Sequence, residues 1–188
     1  MKYMFLFAIL ITMPLCGQDE HPDTAVKDHL PLIWKIISLD RNAKEDMGSH
    51  IRVGILFQKK NRVSVLNKES IVRLVEQRNR ENPNSPSIHV TPIEITDTSL
   101  LENQLKTAEV NVLYITPLRG TAIEDIVHVT RSHGIRSFTG TASYVEEGVA
   151  VGFGIKGDGL QIIINLKASR NEGADYPLNV LRLAKVIK

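Results

Sequence analysis

Four short strand-like runs, separated by stretches of helical periodicity, constrain this chain more than any other feature. They are IRVGILF (51–57), IHVTPIEI (88–95), VNVLYITP (110–117) and IRSFTG (135–140). Ahead of the first, Val26, Leu30, Ile33 and Ile37 recur at helical spacing over about 24–40. Pro31 within that stretch either opens the main helix at its first turn or interrupts a longer one. After a loop over 58–66, a helix is expected with Asn67 or Ser70 as its cap and Ile71, Leu74 and Val75 on one face. NPNSP (82–86) stops it. A helix over 97–108 carries Leu100, Leu101 and Leu105, and another over 119–134 has Thr121 as cap, Glu124 three residues on and Gly134 at its end. TASYVEEG (141–148) reads as a short helical turn or a loop. Strands alternating with helices require crossover connections. The expected fold is therefore α/β: a mostly parallel sheet with crossover helices on both faces, in one domain over 30–188. Pro92 places the second strand at a sheet edge, because proline gives no N–H to a ladder.

GFGIKGDG (152–159) matches the glycine fingerprint of dinucleotide-binding folds over its first six residues. That fingerprint works only where a helix starts at the glycines and points its N-terminus at a pyrophosphate. Here VAV precedes the stretch and LQIIINL follows it, and both are strand-like. The expectation is an antiparallel hairpin with its turn at 156–159. Gly152 and Gly154 lie two apart, so one strand face is thinned where a neighbouring helix or a bulge can approach.

The first residues belong to a different kind of segment. Lys2 precedes an apolar run from Phe5 to Met13, too short to span a bilayer, and Pro14-Leu15-Cys16-Gly17 leads into polar sequence. Residues 1–17 read as a secretory signal peptide cut after Gly17, with 18–29 as a flexible leader. The alternative is lipidation at Cys16, against which bulky Leu15 argues. Cys16 is the only cysteine, so the exported chain forms no internal disulfide. A net charge of +2 and 5% aromatic residues give neither the basic footprint nor the stacking platforms of a nucleic-acid binder.

The C-terminal stretch GVAVGFGIKGDGLQIIINLKAS, followed by YPLNVLRLAKVIK, resembles the YfiR-like family of periplasmic regulatory proteins. The similarity rests on the glycine-containing hairpin, Ile164-Asn165-Leu166, Ala168, and Val180-Leu181-Arg182-Leu183-Ala184-Lys185-Val186-Ile187. VGILF, VNVLYIT and IRSFTGT fall where that family has its first, third and fourth strands. The resemblance implies a closing helix after the hairpin and a non-enzymatic protein, often dimeric. It implies action through contact with the periplasmic part of a membrane-bound diguanylate cyclase, within cyclic-di-GMP signalling, or of a histidine kinase. Disulfides known in the family have no counterpart here.

The residues offer no catalytic set. The six histidines lack metal spacing and read as surface groups, and no metal or cofactor is expected. Adjacent carboxylates Glu124-Asp125 and Glu146-Glu147 diverge on a helix, and no serine sits in a nucleophile elbow. Parallel α/β sheets bind ligands outside the carboxyl ends of their strands. The candidates there are Gln58, Thr116, Thr139 and Thr141, followed by Ser143 and Tyr144. The same residue types also cap helices and close turns. A small-ligand binding module is thus the alternative to a contact regulator. Trp34 and Ile36 widen the apolar face of the first helix, as a partner or dimer surface or as core.

Overall fold

The computed structural model describes residues 22–47, 50–83, 85 and 87–188. The expected signal peptide and Cys16 lie outside them. Two helices, α1 (Pro22–Leu39) and α2 (Ala43–Met47), precede the sheet. Then follow β1 (Ile51–Phe57), α3 (Arg62–Glu81), β2 (Ile88–Glu94), α4 (Leu101–Thr107), β3 (Val112–Ile115), α5 (Ile123–Ser132), β4 (Arg136–Thr139) and α6 (Ala142–Glu146). The chain closes with β5 (Val151–Lys156), β6 (Gly159–Asn165), α7 (Leu166–Asn171), α8 (Leu178–Leu183) and β7 (Lys185–Ile187). One sheet of seven strands runs in the order β2-β1-β3-β4-β5-β6-β7. Every neighbouring pair is parallel except β5 and β6.

The near-continuous apolar strands are explained by burial on both faces. Val53, Ile55, Val112, Tyr114 and Phe138 pack with α1 and α3 through Ile33, Ile37, Ile71 and Val75. Leu56, Leu113 and Ile115 pack on the other face with Leu101 and Leu105 of α4 and Ile123, Ile126 and Val127 of α5. β2 is an edge strand, as Pro92 required.

The hairpin is present. β5 and β6 pair from Val151↔Ile164 to Lys156↔Gly159, and no helix begins at the glycines. Gly157 sits at the first central position of the two-residue turn with φ of 60°, and Asp158 has no positive φ, the pattern suited to a II′ turn. The thinned strand face receives α6: a Cβ on Gly152 would lie 2.4 Å from Val145 Cγ2 and 3.2 Å from Thr139 Cγ2.

Four local expectations are corrected. α1 begins at Pro22, with Val26 and His29 buried, so residues 22–29 are helix rather than flexible leader. Pro31 lies inside that helix. α3 starts at Arg62, not after Asn67 or Ser70, because Asn61 already caps it by accepting from Val63 N at 3.2 Å. Asn67 instead donates back to Val63 O at 2.9 Å from within the helix. Thr121 does not cap α5, whose N-cap is Ala122; its hydroxyl accepts from Gln58 Nε2 at 3.0 Å. The closing helix covers only Leu178–Leu183, and the β-branched pair Val186-Ile187 then adds a seventh strand to the open edge of β6.

The close fit of α6 gives a direct check on the hairpin packing. Gly152→Ala is expected to cost about 1–3 kcal/mol through overpacking, read as a lower midpoint in urea denaturation. An unchanged midpoint would contradict the packing of Val145 on β5.

Candidate functional site

Strand order reverses between β1 and β3, and the cleft worth describing opens beside that point, at the carboxyl edge of β1 and β2. It has a volume of about 370 Å³ and is lined by Gln58, Lys59, Lys60, Asn61, Glu94, Ile95, Thr96 and Arg119. Three loops supply these residues: the β1–α3 connection, the end of β2, and the segment after β3. Two amides lock the first and third loops together. Gln58 Nε2 donates to Arg119 O at 2.9 Å, and Gln58 Oε1 accepts from Arg119 N at 2.7 Å. Asn61 Nδ2 donates to Pro117 O at 2.9 Å while its oxygen caps α3.

The six ligand candidates do not converge on this cleft; only Gln58 lines it. Thr116 and Thr139 are fully buried. Thr116 Oγ1 donates to Leu56 O at 2.8 Å and lies 2.6 Å from Ser64 Oγ. Thr139 Oγ1 donates to Ile115 O and accepts from Thr141 N. The Tyr144 hydroxyl donates to Leu118 O at 3.0 Å and accepts from Leu118 N at 2.8 Å. These groups brace the carboxyl ends of β3 and β4 instead of facing solvent. Thr141 is half-buried and Ser143 exposed, both outside the cleft lining. Ile36, at 3% exposure, is core and cannot form a surface. Trp34 is half-buried against the same core and lines a groove between α1 and α3. The exposed apolar side chains are elsewhere, among them Ile155 and Leu160, paired across the hairpin, and Leu183.

Lys59, Lys60, Glu94, Thr96 and Arg119 were not among the ligand candidates drawn from the sequence. The signal was available in the edge position of β2. A 2-1-3 order sets the end of β2 and the loop after β3 on either side of the end of β1.

A second gathering of ionisable groups lies inside the fold. Arg136, 2% exposed, donates through Nε to Asp40 Oδ2 at 3.2 Å and through Nη2 to Asp46. It also donates to the carbonyls of Gly134, Glu172 and Gly173. The carboxylate of fully buried Glu172 accepts from Ser137 N, Ser137 Oγ and Thr130 Oγ1 at 2.8, 2.6 and 2.7 Å. Burial nonetheless pushes Glu172 up to about 7, against those hydrogen bonds. His29 is buried too, a correction to its reading as a surface group. It stacks on Phe153 with centroids 4.5 Å apart. Burial pushes it down to about 4, with Asp28 opposing. Neither group reaches the cleft lining. Among the described residues, no three His, Cys, Asp or Glu gather as a metal site.

The fold and the cleft define a class first: a doubly wound α/β domain with the flavodoxin-like order 2-1-3-4-5, extended by β6, which forms a hairpin with β5, and by β7, parallel to β6. A sequence profile of the YfiR/HmsC-like family matches residues 58–185, and the chain belongs to that family. Membership speaks for regulation over catalysis. No curated protein sequence matches the chain. Among solved structures, a conserved domain protein from Vibrio cholerae superposes with a TM-score of 0.61 at 17% identity, over 87% of this chain and 60% of that one. A substrate binding protein with adhesive properties from Clostridium difficile, in its ligand-free, open structure, gives 0.63 at 13%, over 87% and 59%. An ABC domain in complex with L-Trp from Streptococcus pneumoniae gives 0.53 at 16%, over 81% and 61%. At these identities the likeness is one of fold. The chain spans about three fifths of the length of each solved chain.

Glu172 makes stability depend on pH in a stated direction. The raised value means that between about 4.5 and 7 the folded protein holds a proton the unfolded chain has released. Its contribution is complete below about 4.5 and is lost as pH rises through 7, with a slope of up to about 1.4 kcal/mol per pH unit. His29 acts oppositely, its contribution present above 6.5 and lost as pH falls towards 4, so the wild type alone does not separate them. Glu172→Gln mimics the protonated acid. Thermal melts should show the variant's stability relative to wild type higher at pH 8 than at pH 5; an equal difference at both pH values would contradict the assignment.

Proposed function

We propose that this protein is an exported regulator that acts by protein contact on the periplasmic part of a membrane-bound signalling protein, a diguanylate cyclase or a histidine kinase. The observation that carries this reading is the YfiR/HmsC-like match, which runs from the residue after β1 to the first residue of β7 and so takes in β2 to β6. The internal use of Thr116, Thr139 and Tyr144 supports it, since hydroxyls fixed in structural bonds are poorly placed for chemistry. Lys2 and the apolar run from Phe5 to Met13 support export through a signal peptide over 1–17, with the regulatory domain following. Among the described residues no helix is long and apolar enough to cross a membrane. Anchoring through Cys16 is the alternative way to hold the protein at a membrane. A homodimer is part of the proposal, as the family resemblance implies.

One observation favours a second reading, a small-ligand binding module. The cleft beside the strand-order reversal sits where doubly wound sheets bind ligands, and two of the similar structures carry a ligand-binding description. The two readings are compatible, because a bound ligand can bias a protein contact.

Tagged protein expressed in its own host should recover an inner-membrane protein with a periplasmic segment from detergent-solubilised membranes, and sedimentation should show a dimer. Recovery of no such protein, together with a monomer, would overturn the contact reading.

A further inference from the structure

We infer that the cleft at the carboxyl ends of β1 and β2 binds a small dianion, an inference that rests on the ligand-binding reading above. The cleft presents Lys59, Lys60 and Arg119, all exposed, from loops that are held still. The holding is specific: the amides of Gln58 and Asn61 tie the loop 117–121 to the start of α3. Polar side chains here form the frame, and the cations are left for something else.

Some of the chain's cations are held in ion pairs, and these three are not. Arg41, Arg52, Lys68, Lys106, Arg136 and Lys185 all have carboxylate partners. Among the described residues, Lys59, Lys60 and Arg119 enter no ion pair, although Glu94 lines the same cleft. Three cations against that one carboxylate leave two positive charges in a space of about 370 Å³. A ligand with two negative charges balances them. The planar guanidinium of Arg119 suits a carboxylate or phosphate fork, and the lysines act as point charges beside it. Ile95 contributes a buried apolar lining beside these groups. Phosphate monoesters and dicarboxylates share this chemistry.

The test is isothermal titration of the processed wild-type protein with inorganic phosphate and, separately, with succinate at low ionic strength. Arg119→Gln and the double variant Lys59→Gln/Lys60→Gln accompany it, and melts are run against neutral and cationic metabolites. All three side chains are exposed and unpaired, so the free variants should melt like wild type. Phosphate or succinate should bind wild type, and whichever binds names the source class. Each variant should weaken binding about tenfold or more, equivalent to about 1.4 kcal/mol, and added salt should weaken it further. Binding of neither dianion, or equal binding by wild type and variants, would overturn the inference. Stabilisation by a neutral or cationic metabolite in that case would leave the ligand-binding reading standing. No stabilisation by any compound would end both.

Discussion

The guanidinium of Arg136 joins the segment after α1, α2 and the segment after α7 to the middle of the sheet. It sits on β4 at the middle of the sheet, buried, and bonds to Asp40 after α1, to Asp46 in α2 and to carbonyls at 172 and 173 after α7. Burying a guanidinium is costly unless its donors are met. Here its donors are met by residues on both sides of β4 in the sequence. Asp40 is doubly used, since its other oxygen accepts from Asn42 N and Asp175 N at 3.1 and 2.9 Å. Glu172 closes the arrangement by taking the Ser137 N–H and both nearby hydroxyls, while Ser137 Oγ accepts from Ala150 N at the start of the hairpin. The five parallel strands could stack without this cluster. The cluster ties the end of α1 and the segment after α7 to them, alongside the apolar packing of α1.

Much of the fold was legible in the sequence because it follows from periodicity. The apolar runs at 51–57 and 110–117, the edge proline at 92 and the glycine turn at 157 each carry a local signal, and each produced the expected element. The failures were also physical. Asn61 outcompeted Asn67 as a cap because it reaches Val63 N and Pro117 O at once, a fact of tertiary position. The last strand was hidden because Val186-Ile187 follows a helical turn directly and becomes a strand only beside β6. Arg136 gave no signal, since its partners lie 90 and 96 residues away.

The site was half legible. The strand ends were correctly marked as the polar edge of the sheet, but residue type alone could not separate hydroxyls that brace the edge from groups that face a ligand. Depth decides that. Thr116 and Thr139 lie below the surface, where a free hydroxyl would be costly and is therefore bonded. The cations above them are long, flexible and solvated, so they remain available. A regulator built this way has a stiff polar edge carrying a small set of free charges. Its core, by contrast, is tied through Arg136 to Asp40, to Asp46 and to the carbonyls of residues 172 and 173.

The claim that one buried cluster couples α1, β4 and the segment after α7 is tested most directly by native-state hydrogen exchange on wild type and Asp40→Asn. The asparagine keeps an acceptor for Asn42 N and Asp175 N and removes the charge facing Arg136. Faster exchange should appear together at the end of α1, in β4 and around residues 172–175. Faster exchange confined to the neighbours of residue 40 would contradict the account.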